Sequence, residues 1–199
     1  MIDILQLIVL FAFLGGAIKF IDQAYDEKAF SIRAAKVVAV MSGVVMGYLM
    51  ARDSPFSTAF FAAMLISLVL AKKIDNFAFA TGTILAIASL IAFYPSSEVS
   101  WLVLPVIVFL AAGFVDEIAD DMVHKHNIEG VMQMVLNYRP FSDLSLVAMV
   151  LLGTFSWIYL LPYFSFTFSY MFVERYSERE YSLSEGVDWI KHRVLRRAN

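Results

Sequence analysis

Residues 4–28 read ILQLIVLFAFLGGAIKFIDQAYDEK, an apolar run closing at Ile18 and continuing, with no further Gly or Pro, into Lys19, Asp22, Asp26, Glu27 and Lys28. A helix needs about 20 apolar residues to cross roughly 30 Å of hydrocarbon. Ionisable residues on its last turns then mark the water boundary. The same grammar recurs along the chain: apolar runs cover residues 35–51, 56–71, 77–94, 101–115 and 144–173, separated mostly by short polar connections. The expected fold is therefore all-α, a polytopic transmembrane helical bundle of about six spans, with a seventh if the last run turns back. The expected organisation is one bundle over residues 1–173 and a polar, basic tail over residues 174–199. In that tail Val187, Ile190, Val194 and Leu195 fall at helical spacing, as in a short interfacial helix.

Composition agrees. Of 199 residues 60% are hydrophobic and 17% charged, more apolar surface than one soluble core of that size hides. Cysteine is absent, which removes disulfides and thiolate chemistry, and the formal charge of −3 argues against nucleic acid as a partner. The opening Met1-Ile2-Asp3 lacks the basic start of a secretory signal, so the first run is expected to be retained.

Local signals place several connections. Ser54 and Pro55 suit an N-cap and first turn after Arg52-Asp53. Gly15-Gly16 and the Gly43/Gly47 pair suit close helix approach. Pro162 divides the long last run, predicting a kinked or broken helix there. The aromatic and hydroxyl alternation from Tyr163 to Tyr170 is expected to be helical, because an isolated strand leaves its backbone unsatisfied in lipid.

Connections after odd-numbered spans hold Lys19, Lys28, Arg33, Lys36, Lys72, Lys73, Lys125 and Arg139, against Arg52 alone after the even ones. Lysine and arginine accumulate in cytoplasmic loops, so the acidic helix ends are expected at the cytoplasmic face of a prokaryotic plasma membrane. Six spans would leave the basic tail outside; a return crossing would bring it in.

Three ionisable groups close three spans: Lys19 with Asp22, Asp26 and Glu27; Lys72 and Lys73 with Asp75; and Asp116, Glu117, Asp120 and Asp121. Asp22/Asp26, Asp116/Asp120 and Glu117/Asp121 each share a helical stripe, where like charges repel unless a cation, basic side chains or bound protons relieve them. Carboxylates from two helices are the oxygen ligands Mg²⁺ prefers, with substrate phosphate completing its shell. The candidate catalytic residues are thus Asp22, Asp26, Asp116 and Asp120. The candidate metal ligands are these four with Glu117 and Asp121, and Lys19, Lys72, Lys73 and Arg139 are the candidate phosphate binders. The plain reading of each group is a solvated helix end, and for Lys72 and Lys73 an orienting anchor. His124 and His126, two apart with no third nitrogen or sulfur ligand nearby, read as surface residues rather than a zinc site.

The segments 16–26 and 114–121 resemble the two aspartate-rich motifs of UbiA-type intramembrane prenyltransferases. The resemblance implies Mg²⁺ held between the motifs by Asp22, Asp26, Asp116 and Asp120. It further implies a prenyl diphosphate bound through that metal and transfer of the prenyl group to an acceptor. The leading expectation is a Mg²⁺-dependent membrane enzyme acting on a phosphorylated isoprenoid or lipid, as a monomer or an oligomer. The alternatives are a cation- or proton-coupled transporter or channel using the same acids, and a non-catalytic membrane subunit.

Overall fold

The computed structural model describes residues 2–70, 74, 76–96, 99–126 and 140–177. These form seven α-helices and two short 3₁₀ turns, with no strand among the described residues. The helices are α1 (Ile4–Tyr25), α2 (Ile32–Arg52), α3 (Pro55–Leu70), α4 (Phe77–Phe93), α5 (Val103–His126), α6 (Pro140–Leu151) and α7 (residues 160–177). Two of them, α1 and α2, are long and apolar enough to cross a membrane; α3, α4, the first part of α5 and α6 are shorter apolar helices.

Helix starts follow local chemistry. At α3 the Ser57 N–H donates to Ser54 Oγ at 3.3 Å, the N-cap expected from Ser54-Pro55. At α4 the Phe79 N–H donates to Asn76 Oδ1 at 3.0 Å. Small residues then let the helices touch. A Cβ on Gly47 would lie 2.2 Å from the Ala86 carbonyl oxygen, and one on Gly43 would lie 2.4 Å from that of Gly82, so α2 and α4 meet backbone to backbone. Gly15 does the same for α1 against α7, with Phe166 O at 2.1 Å from its would-be Cβ.

The long final run does not break where the proline predicts. It breaks at Gly153, whose φ of 75° suits a residue without Cβ. The Thr154 N–H donates to Met149 O at 2.8 Å and the Gly153 N–H to Val150 O at 3.0 Å, a Schellman closure of α6. Pro162 is instead buried in the first turn of α7, where its missing N–H has no intrahelical partner to lose.

Direction follows from contacts. Along α1, Gly15 meets Phe166, Gly16 meets Ser169 and Val173, and Lys19 meets Glu174, so α7 runs parallel to α1. Phe30, just beyond α1, stacks on Tyr176 near the end of α7 at 6.2 Å. At the opposite end Phe155 and Tyr159, from the turn before α7, pack on Phe56 at the start of α3, with ring centroids 5.3 and 5.0 Å apart. That end is filled by an aromatic core in which Phe11 lies 6.0 Å from Phe56, 6.1 Å from Phe60 and 4.9 Å from Phe61. The outward surface is apolar as well: Leu5, Val37, Ile84, Leu104, Leu151 and Phe172 are all exposed.

Candidate functional site

Two polar centres lie inside this bundle, and α7 touches both. The first gathers on Lys19, which is buried at the last turns of α1. Its Nζ lies 2.7 Å from Glu174 Oε1 on α7 and 3.3 Å from Asp22 Oδ2, and 5.3 Å from the centre of the Tyr170 ring. With its amide oxygen turned to Lys19 at 3.3 Å, Gln23 directs its nitrogen at the Glu27 carboxylate. One ammonium thus serves two carboxylates on two helices. This is the neutralisation by a basic side chain that clustered acids require, and it clasps α7 to α1.

The second centre is Asp116 on α5. It is 1% exposed, and both its oxygens are used. The Phe141 and Ser142 N–H groups donate to Oδ1 and Oδ2, each at 2.9 Å, and the Ser142 hydroxyl donates to Oδ2 at 2.5 Å. Those are the first free amides of α6, so Asp116 caps that helix from across the bundle and its charge faces the positive end of the helix dipole. Next to it in α6, Asp143 lies within the field of Asp116 and accepts a hydrogen bond from the Tyr163 hydroxyl of α7 at 2.8 Å. Tyr163 is 3% exposed.

The sequence-derived candidates are distributed as follows. Lys19 and Asp22 join in the first centre, and Asp26 is exposed at the C-cap of α1, its N–H bonded to Asp22 O. Asp116 lies in the second centre. Glu117, Asp120 and Asp121 lie on α5, but their side chains are outside the description, as is all of Lys72, Lys73, Asp75, Arg139, His192 and the tail from residue 178. His124 and His126 fall on the last turn of α5. Among the described residues no three Asp, Glu, His or Cys side chains come together as a metal site. A cavity between α1, α2, α3 and α4, lined by Ile18, Gly43, Met46 and Phe79 among others, has a volume of about 30 Å³, room for about one water.

Sequence reasoning missed Ser142, Asp143, Tyr163, Tyr170 and Glu174. A signal existed for three of them: Tyr163, Tyr170 and Glu174, with Thr167 between, fall at i, i+4, i+7 and i+11, one stripe of a helix. At the far end of the bundle a smaller polar group forms, where Asp53 accepts hydroxyl hydrogen bonds from Ser54 at 2.8 Å and Ser57 at 2.6 Å. Burial raises the Asp53 carboxyl above its ordinary range, against those hydroxyls, which act to lower it. Comparison with protein-family models, with curated proteins and with solved structures finds no match to this chain.

Proposed function

We propose that this chain is an integral membrane protein, a polytopic helical bundle that handles a cation or a proton at the carboxylate site where α5, α6 and α7 meet, and so belongs to the transporter or channel class. Apolar side chains on the outward faces support the lipid setting, since soluble monomers rarely expose contiguous apolar surface of that extent. One observation carries the rest. Asp116 is almost wholly buried, follows about 20 Å of apolar helix (residues 103–115) and is met there by the N-terminus of a short, broken-off helix. Ionisable groups inside a membrane bundle are expensive and mark ion pathways, and discontinuous helices with their termini aimed at the site are the usual way to build one.

The Mg²⁺-dependent enzyme acting on a phosphorylated lipid is a second reading, favoured by the concentration of Lys19, Asp22, Gln23, Glu27 and Glu174 where α1 and α7 end together. It asks Asp22 and Asp116 to share one cation. Asp22 is turned to Lys19 and Asp116 to the amides of α6, so the transport reading has the stronger geometric support.

Purified protein reconstituted in vesicles tests both. Dissipation of an imposed proton, sodium or potassium gradient, lost in Asp116→Asn, is the expected result. Gradients as stable as in empty vesicles would remove the transport reading. Conversion of a prenyl diphosphate with Mg²⁺, abolished by Asp22→Asn and Asp116→Asn, would put the enzyme first.

A further inference from the structure

We infer that the bundle is built for a thin bilayer, a hydrocarbon slab of about 25 Å bounded at the Asp53 end by a collar of Tyr94, Trp101 and Trp157, and at the Lys19 end by Lys19, Lys36 and Tyr176. The inference rests on the membrane part of the reading above, not on transport, and names the lipid surface the bundle fits.

The collar residues come from three separate connections, and the helix directions bring them to one end. α4 runs parallel to α2, because Gly43 meets Gly82, Gly47 meets Ala86 and, furthest along, Tyr48 meets Phe93 at 5.3 Å between ring centres. Tyr94 therefore stands where α2 ends. α5 runs parallel to α3, since Phe60 packs on Phe109 at 5.6 Å and a Cβ on Gly113 would lie 3.9 Å from Ser67 Oγ, so Trp101 stands where α3 starts. Trp157 lies between Phe155 and Tyr159, which pack on Phe56 at that same start. All three collar rings are exposed. Tryptophan and tyrosine turned outward at the ends of apolar helices suit the headgroup level of a membrane, because the ring body is apolar and its N–H or O–H seeks water.

Four helices agree on the distance between the two ends. On α1 the interval from Asp3 to Lys19 equals that from Lys36 to Arg52 on α2, each about 24 Å of helix. α3 has 16 residues and α4 has 17, about 24 and 26 Å. The greater length of α1 and α2 lies outside those charges, in residues 20–25 and 32–35. Tilt only shortens the depth such helices span. An average bilayer holds roughly 30 Å of hydrocarbon, so helices whose apolar lengths agree on about 25 Å match a thinner one. Lys36 marks the edge in its own right: its ammonium lies 5.2 Å from the centre of the Phe77 ring at the first residue of α4, and both side chains are exposed. That is the posture of a basic side chain reaching from the hydrocarbon boundary toward the headgroups. On α7 the exposed Tyr176, stacked on Phe30, stands at the same end.

Thermal unfolding of the full chain in vesicles of dimyristoleoyl, dioleoyl and dierucoyl phosphatidylcholine, whose acyl chains lengthen in that order, reads the thickness. The Tm is expected to be highest in the first and to fall by roughly 5 °C or more by the last. A Tm equal throughout, or rising along the series, would overturn the inference. Fluorescence reads the collar in two variants that each keep one of its tryptophans, Trp157→Phe with Trp189→Phe and Trp101→Phe with Trp189→Phe, in vesicles of phosphatidylcholine brominated either near the top or near the end of the acyl chain. Stronger quenching by the upper bromines is expected for Trp101 and Trp157 alike, and stronger quenching of either by the lower ones would put that ring in mid-bilayer and remove the collar. Release of the chain from the vesicles by an alkaline wash would remove the membrane reading itself, and the inference with it. An embedded chain that follows the expected Tm series yet dissipates no gradient would remove transport and uphold the match in thickness.

Discussion

At the scale of single residues, Asp116 and Lys19 illustrate how the same side chain is read differently alone and in company. The sequence marks both as charges at helix ends, and a helix end is ordinarily solvated. The fold buries them and supplies partners at 25, 26 and 155 residues' remove, Phe141, Ser142 and Glu174. Such pairings cannot be read from spacing, because they depend on which helices become neighbours. Asp116→Ala leaves two amides and a hydroxyl at the start of α6 without their acceptor, so a loss of about 1–3 kcal/mol is expected, with α6 loosened first. Hydrogen exchange of the Phe141 and Ser142 amides checks it, and protection equal to the parent's would show that the cap matters little. Asp53 makes the opposite kind of prediction. A carboxyl that is harder to ionise in the fold than in the unfolded chain supports folding while both states keep the proton, and withdraws that support as pH climbs through the folded-state value. Asp53→Asn cannot ionise. Its Tm relative to the parent is therefore expected to rise from about pH 4 to about pH 7, and a difference independent of pH would show that burial does not govern this carboxyl.

At the scale of elements, the glycines sort into two jobs. Gly43 and Gly47 were legible as a packing pair, since small residues one turn apart in an apolar helix have few other uses, and α4 lies against them at backbone contact. Gly153 was not recognised, although it stands between Leu152 and Thr154 in a run whose only other interruption is Pro162. Proline drew the break because it is disruptive in a helix interior, but in a first turn it is harmless, and the glycine had the conformation that ends α6. The consequence for packing is measurable. Gly47→Leu would drive four carbons into the Ala86 carbonyl and Ser89, with no flexible neighbour to yield. Separation of α2 from α4 is expected to destabilise the bundle by about 1–3 kcal/mol or more. Thermal unfolding in detergent reads that loss; a Tm matching the parent's would mean that the α2–α4 contact is looser than the backbone distances imply.

At the scale of the whole molecule, the parallel course of α1 and α7 decides at which end of the bundle residue 177 lies. The six-span reading left a basic tail, with Arg179, Lys191, Arg193, Arg196 and Arg197, on the side opposite the other basic connections. Splitting the last run into α6 and α7 turns residue 177 back toward the side of those connections. α6 starts at Asp116, partway along α5, and its 12 residues rise only about 18 Å, while α7 covers about 27 Å in the other direction. Residue 177 therefore leaves the bundle beside Phe30, on the side of Lys28, Arg33 and Lys36. If lipid surrounds the bundle, the basic-residue rule puts that side in the cytoplasm and the start of α1 outside. The absence of native cysteine makes the arrangement directly testable by single-cysteine labelling. A membrane-impermeant maleimide applied to intact cells is expected to modify Ser100→Cys, before α5, and Ser156→Cys, in the exposed turn before α7. Lys28→Cys and Arg175→Cys, both at exposed positions, should react only after the cells are opened. Labelling of Arg175→Cys from outside, with Lys28→Cys still protected, would separate two points that the α1–α7 contacts hold at one end, and the return course of α7 would have to be abandoned.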